Sequence, residues 1–143
     1  MRGFEKSPAG EDERAHMNTA RILLIDDEEH FVATMAKRLE RRKFTVFKAL
    51  GGSEGLAVLQ GNNVDVVVLD VNMPGMDGVQ VLREIKMRFP KVEVIMLTGH
   101  ADMESAISGM AMGAFDYLMK PAELDDLVRK IQDAYSRKGK QDV

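Results

Sequence analysis

Cysteine is absent from the 143 residues. That removes disulfides, thiolate nucleophiles and Cys-ligated zinc or iron–sulfur clusters, and it is compatible with a cytosolic protein. Long apolar runs are absent as well. None approaches the roughly 18 residues that cross a bilayer. The most apolar stretches, Ile22-Leu23-Leu24-Ile25 and Val66-Val67-Val68-Leu69, have the length of strands. Charge of one sign is scarce too. The net charge is −3, so no overall field draws the chain to nucleic acid or to an anionic membrane. What is present is the balance of a soluble globular protein, with 45% hydrophobic and 30% charged residues. The length suits one domain, since domains cluster at roughly 100–150 residues.

The ends differ from the middle. Residues 1–20 hold no hydrophobic period and mix Ser, Pro and Gly with charges of both signs, as in Glu11-Asp12-Glu13-Arg14. No apolar stretch follows Arg2, so this is not a secretory signal. The segment reads as a flexible leader or an added extension, with Met17 as an alternative start. Residues 137–143 read as a polar tail that frays, which leaves 21–136 as the folded domain.

Between the ends the chain alternates. The run at 22–25 is followed by polar Asp26-Asp27-Glu28-Glu29, and then Phe31, Met35 and Leu39 recur every four residues. Lys37, Arg38, Arg41 and Arg42 lie between them, as on an amphipathic helix. Thr45-Val46-Phe47 suits a short strand ended by Gly51-Gly52, and Ser53 is placed to cap a helix carrying Leu56 and Leu59. Residues 64–69, apolar without alternation apart from Asp65, predict a strand buried on both faces. Val79, Leu82, Ile85 and Phe89 mark a helix closed by Pro90. A strand over 92–97, a helix over 105–112 ended by Gly113, a strand over 115–119 and a helix over 123–135 complete the set. Five strands alternating with five helices predict an α/β fold with a mainly parallel sheet covered on both sides.

Ligand sites in such sheets lie at the carboxyl ends of the strands. Asp26 and Asp27 follow the first strand, Asp70 ends the third, Thr98 ends the fourth, and Lys120-Pro121 follows the fifth. These ends converge, so three carboxylates, a hydroxyl and an ammonium are expected to share one pocket. Three carboxylates together repel unless a cation joins them. Oxygen ligands without His or Cys favour Mg²⁺ or Mn²⁺. Magnesium keeps waters and a phosphate oxygen beside one or two carboxylates, which frees one carboxylate to attack phosphorus. Lys120 and Thr98 would then stabilise phosphoryl oxygens.

The same residues carry a family likeness. Ile25-Asp26-Asp27-Glu28, Leu69-Asp70-Val71-Asn72-Met73-Pro74-Gly75-Met76-Asp77-Gly78, Leu97-Thr98-Gly99-His100, Gly113-Ala114-Phe115-Asp116-Tyr117 and Lys120-Pro121 occur in that order. The chain resembles the receiver domain of bacterial two-component response regulators, the CheY-like family, over about residues 21–135. The resemblance implies a three-layer flavodoxin-like sandwich with a parallel sheet of order 2-1-3-4-5. It implies that Asp70 accepts a phosphoryl group from a phosphohistidine on a sensor histidine kinase or a histidine phosphotransfer protein. Asp26, Asp27, Asp70 and the backbone carbonyl of Asn72 would hold Mg²⁺. Lys120 would contact the phosphoryl group, Thr98 would move toward it, and Tyr117 would swing inward. The Lys120–Pro121 bond would be cis. Gly78 and the Pro74-Gly75 turn would shape the loop beside Asp70.

The family uses its fourth helix, fifth strand and fifth helix as an output face, and as the face of a homodimer. Met103, Ile107, Met110 and Ala111 lie on that helix here. Met35, Met96 and Met119 are read as core by spacing. His100 is expected to tune the access of water to Asp70, and the basic cluster from Lys37 to Lys43 is a solvated face or a kinase-docking face. Two rival functions compete. A phosphohydrolase of the haloacid dehalogenase type needs an Asp-x-Asp pair after the first strand, whereas Asp70 is followed by Val71-Asn72. A docking scaffold without phosphorylation does not need the full Asp70, Thr98 and Lys120 set. The expectation is a cytoplasmic phosphoacceptor switch rather than a turnover enzyme, with no direct contact to nucleic acid or membrane. It is either a stand-alone receiver or a piece of a longer regulator.

Overall fold

The computed structural model describes residues 20–73, 75 and 77–141. The leader over residues 1–19, and Pro74 and Met76, lie outside the described residues. The elements alternate along the chain. They are β1 (Arg21–Ile25), α1 (Glu29–Arg41), β2 (Thr45–Ala49), α2 (Gly52–Gly61), β3 (Val66–Asp70), α3 (Gly78–Arg88), β4 (Glu93–Thr98), α4 (Met103–Ala111), β5 (Asp116–Met119) and α5 (Leu124–Gln141). A 3₁₀ turn, His100–Asp102, leads into α4. All neighbouring strands are parallel, in the order β2-β1-β3-β4-β5. This is the expected 2-1-3-4-5 sheet.

The unbroken apolar runs behave as their composition requires. β3 and β4 are buried along their whole length because helices cover both faces. Alternate residues feed two cores. Leu23, Ile25, Val67, Leu69, Val94 and Met96 pack with α2, α3 and α4, and Ile22, Leu24, Val66, Val68, Ile95 and Leu97 pack with α1 and α5. Burying a Leu or Ile side chain contributes roughly 1.5–3 kcal/mol, so these two layers hold the sheet rigid under its carboxyl edge.

Several local expectations need correction. Ser53 does not cap α2. The helix starts at Gly52, and the Glu54 side chain accepts the Leu50 N–H at 2.6 Å instead. Met35 and Met96 are buried, but Met119 is only half-buried, because β5 is an edge strand with no strand beyond it. Ala20 belongs to the fold, fully buried, with its carbonyl accepting the Thr45 N–H. Residues 137–141, read as a fraying tail, continue α5. They are helical because Arg137 pairs with Glu93 at 3.3 Å and Lys138 with Asp65 at 3.2 Å, at the amino ends of the strands.

Candidate functional site

The carboxyl edge of the sheet carries the chemistry. Asp26 leaves β1 with its N–H on the carbonyl of Ala49, and its Oδ1 accepts the Glu28 N–H at 2.9 Å. Asp70 closes β3, and its Oδ1 accepts the Asn72 N–H at 3.1 Å. Both carboxylates are buried, whereas Asp27 is exposed. Oxygens of Asp26, Asp27 and Asp70 lie within 4.8 Å of one another.

Lys120 reaches this group from the end of β5. Its N–H bonds the Thr98 carbonyl at 2.8 Å, and the Lys120–Pro121 peptide is cis, as expected. Its Nζ lies 3.2 Å from Asp26 Oδ2, 3.4 Å from Asp70 Oδ1 and 3.3 Å from Glu28 Oε1. Thr98 is buried at the end of β4, its hydroxyl donating to the Gly99 carbonyl at 3.2 Å. Asp27, Glu28, Asp70, Asn72, Gly99, Asp102 and Lys120 line an open recess of about 300 Å³.

Burial raises the Asp70 carboxyl, the Asn72 N–H lowers it, the Asp26 charge raises it and Lys120 lowers it. The balance leaves Asp70 pushed up to about 6. Burial pulls the Lys120 ammonium down, but Asp26 and Asp70 outweigh it and the net shift is upward. Asp26 Oδ2 is buried without an aligned hydrogen bond, although Lys120 Nζ is close to it. A buried carboxylate oxygen that lacks an aligned hydrogen bond, beside two more carboxylates and no His or Cys, fits a hard divalent cation.

The loop from Val71 to Gly78 is held by close approach. A Cβ on Gly78 would stand 2.5 Å from the Val71 Cα, and Gly75 has φ of +89°. Only glycine meets both demands at no steric cost. The Asp77 side chain caps α3 by accepting the Val79 N–H at 3.0 Å.

Asp26, Asp27, Asp70, Asn72, Thr98 and Lys120 therefore meet at one edge. Tyr117 does not line the recess. It is half-buried on β5, against the core under α2, α3 and α4. His100 is exposed at the start of the 3₁₀ turn. Sequence reasoning missed Glu28 and Asp102 as recess residues. The signal was faint in both cases. Glu28 was one more acid in the polar run Asp26-Asp27-Glu28-Glu29, and Asp102 belongs to none of the motifs at the strand ends.

The chain belongs to the response regulator receiver domain family, whose model matches residues 22–132. It is a receiver domain of two-component signalling. Its relatives include the DNA-binding transcriptional regulator NtrC of Salmonella typhimurium, 36% identical over 115 residues, which are 80% of this chain and 24% of NtrC. The chain thus spans about a quarter of the length of that relative. Among solved structures, a receiver domain protein from Clostridium thermocellum superposes with a TM-score of 0.81 at 42% identity, covering 84% of this chain and 97% of that one. A CheY-like receiver from Methanospirillum hungatei gives 0.81 at 29% identity, covering 86% of this chain and 98% of that one.

Proposed function

We propose that this receiver accepts a phosphoryl group on Asp70 from a phosphohistidine of a sensor histidine kinase or a histidine phosphotransfer protein. The observation that carries the reading is the placement of Asp70. It is buried beside Lys120 Nζ at 3.4 Å, and Asp26 and Asp27 lie on the same edge. One Asp70 oxygen attacks phosphorus, the P–N bond breaks, and the imidazole leaves with the electron pair and takes up a proton. Lys120 and the Thr98 hydroxyl stabilise the phosphoryl oxygens, for which Thr98 turns away from the Gly99 carbonyl. Asp26, Asp27, Asp70 and the Asn72 carbonyl would hold Mg²⁺, or Mn²⁺ in its place. A divalent cation there supplies positive charge against the carboxylates and the phosphoryl oxygens.

The output side of the reading rests on α4, β5 and α5. Thr98 and Tyr117 stand on adjacent strands, with Met96 paired to Tyr117 and Thr98 to Met119. Movement of Thr98 toward the phosphoryl group opens space toward which Tyr117 turns, which biases the α4–β5–α5 face between two packings. Ile107 is 66% and Met110 39% exposed on α4, apolar surface suited to an output partner or a homodimer. On the donor side, Phe31, Met35, Arg38 and Pro121 line a groove of about 470 Å³ next to Lys120, a seat for the phosphodonor protein. No helix among the described residues is long and apolar enough to cross a membrane. The domain works as a switch that takes up and loses its own phosphoryl group, not as a turnover enzyme.

Intact mass after incubation with acetyl phosphate tests the reading. One phosphoryl adduct is expected with Mg²⁺, none with EDTA, and none in Asp70→Asn. A folded wild-type protein without adduct would favour a docking scaffold.

A further inference from the structure

Lys120 is shared by three carboxylates, and only two belong to the buried acceptor site. Asp26 and Asp70 hold the ammonium from within, with side chains 2% and 4% exposed. Glu28 holds it from outside at 3.3 Å, with its side chain 65% exposed. An ion pair that open contributes little to stability, so the fold has little need of it. Its position has a larger consequence. Glu28 lies on the mouth of the recess, between solvent and the ammonium that a phosphoryl group must reach. Asp27 and Asp102 line the same recess, and among the described residues Lys120 is the only cation that lines it.

We propose that Glu28 is a specificity-determining residue for the phosphoryl donor, an electrostatic filter that disfavours small free dianions relative to phosphoramidate-type donors. This rests on the assignment of Asp70 as phosphoacceptor. A donor's phosphoryl oxygens must take Lys120 Nζ from Glu28, and they do so next to the carboxylate just released. The repulsion scales with donor charge. Acetyl phosphate is a dianion at neutral pH. Phosphoramidate, which carries the same P–N bond as a phosphohistidine, has a net charge of about one. A phosphohistidine protein can also bring cationic side chains against Glu28, which a free small molecule cannot. A unit charge roughly 6 Å from a dianion in screened water alters its encounter about three- to fivefold, and that of a monoanion about twofold.

The test measures initial phosphorylation rates at neutral pH in saturating Mg²⁺, by intact mass or phosphate-affinity gel. Wild type is compared with Glu28→Gln, Glu28→Asp and Asp70→Asn. Glu28→Gln keeps an acceptor near Lys120 but removes the charge. It is expected to react about three- to fivefold faster with acetyl phosphate and about twofold faster with phosphoramidate. Glu28→Asp, which keeps the charge, is expected to stay near the wild-type rate with both. Mg²⁺ affinity, titrated separately, is expected to fall by no more than the roughly three- to fivefold that one screened unit charge gives a divalent ion, a loss that saturating Mg²⁺ keeps out of the rates. Equal gains with both donors would overturn the filter and make Glu28 only a competitor for Lys120. An unchanged or slower Glu28→Gln would overturn it too. A loss of Mg²⁺ affinity well beyond tenfold would overturn it by making Glu28 a metal ligand. An adduct that persists in Asp70→Asn would instead sink the phosphoacceptor assignment, with the filter falling as its consequence.

Discussion

Asp70 is held in a state that opposes its own charge. Burial pushes its carboxyl up to about 6 from the ordinary 3.8, and the neighbouring Asp26 charge adds to that. A folded-state pKa above the unfolded one means that the fold binds the proton more tightly. The stability linked to that proton is complete below about 3.8 and is lost as pH rises through about 6. In EDTA, Asp70→Asn is therefore expected to be more stable than wild type at pH 7.5 by about 1–3 kcal/mol. The gap should close below pH of about 4, where both proteins carry a neutral side chain. Urea unfolding at the two pH values checks this. A wild type more stable than Asp70→Asn at pH 7.5 would show that Lys120 outweighs burial. At this scale the sequence was readable for Asp26, Asp27, Asp70, Thr98 and Lys120, because each directly follows or ends a strand. It was unreadable for Glu28, whose contact with Lys120 spans 92 residues of chain.

Elements end where backbone geometry allows, and two helix ends make the point. After α1, the Phe44 N–H bonds the Leu39 carbonyl and the Lys43 N–H bonds the Glu40 carbonyl. After α4, the Ala114 N–H bonds the Gly109 carbonyl and the Gly113 N–H bonds the Met110 carbonyl. Both closures place a residue in the left-handed region, Gly113 at φ of +109° and Lys43 at +79°. A side chain there costs roughly 1–2 kcal/mol, which glycine avoids. Lys43→Gly is expected to raise stability by about 1 kcal/mol, less any loss from the more flexible unfolded chain. A higher urea midpoint with unchanged slope would bear this out, and a lower midpoint would refute it. Gly113 announced its helix end in the sequence; Lys43 did not, since lysine favours helix interiors. The length of α5 was missed for a related reason. Polar residues after Ser136 read as a tail, yet Arg137 is drawn in by fully buried Glu93, and its guanidinium lies 5.5 Å from the Phe115 ring centroid.

At the scale of the whole molecule, the candidate site and the α4–β5–α5 face share two strands. β4 carries Thr98, β5 carries Tyr117, and α4 packs on both strands, with Gly109 closely approaching Met96 of β4. Phosphorylation at Asp70 is expected to change amide exchange most in β5 and α4, and least in α2, which packs on β1 and β2 toward the opposite edge of the sheet. Mass-resolved hydrogen exchange with acetyl phosphate and Mg²⁺ measures this, and an equal change in α2 would count against a directed switch. The sequence by itself determined the alternation of strands and helices, the parallel sheet and the strand-end acids, because buried runs, amphipathic periods and polar punctuation are local signals. Tertiary structure alone decided that the edge strand leaves Met119 half-buried and that Glu93 and Asp65 extend α5. It also decided that Glu28 shares Lys120 with the acceptor site. Each depends on which distant residue faces which, a matter of sheet order and strand register that no short window of sequence contains.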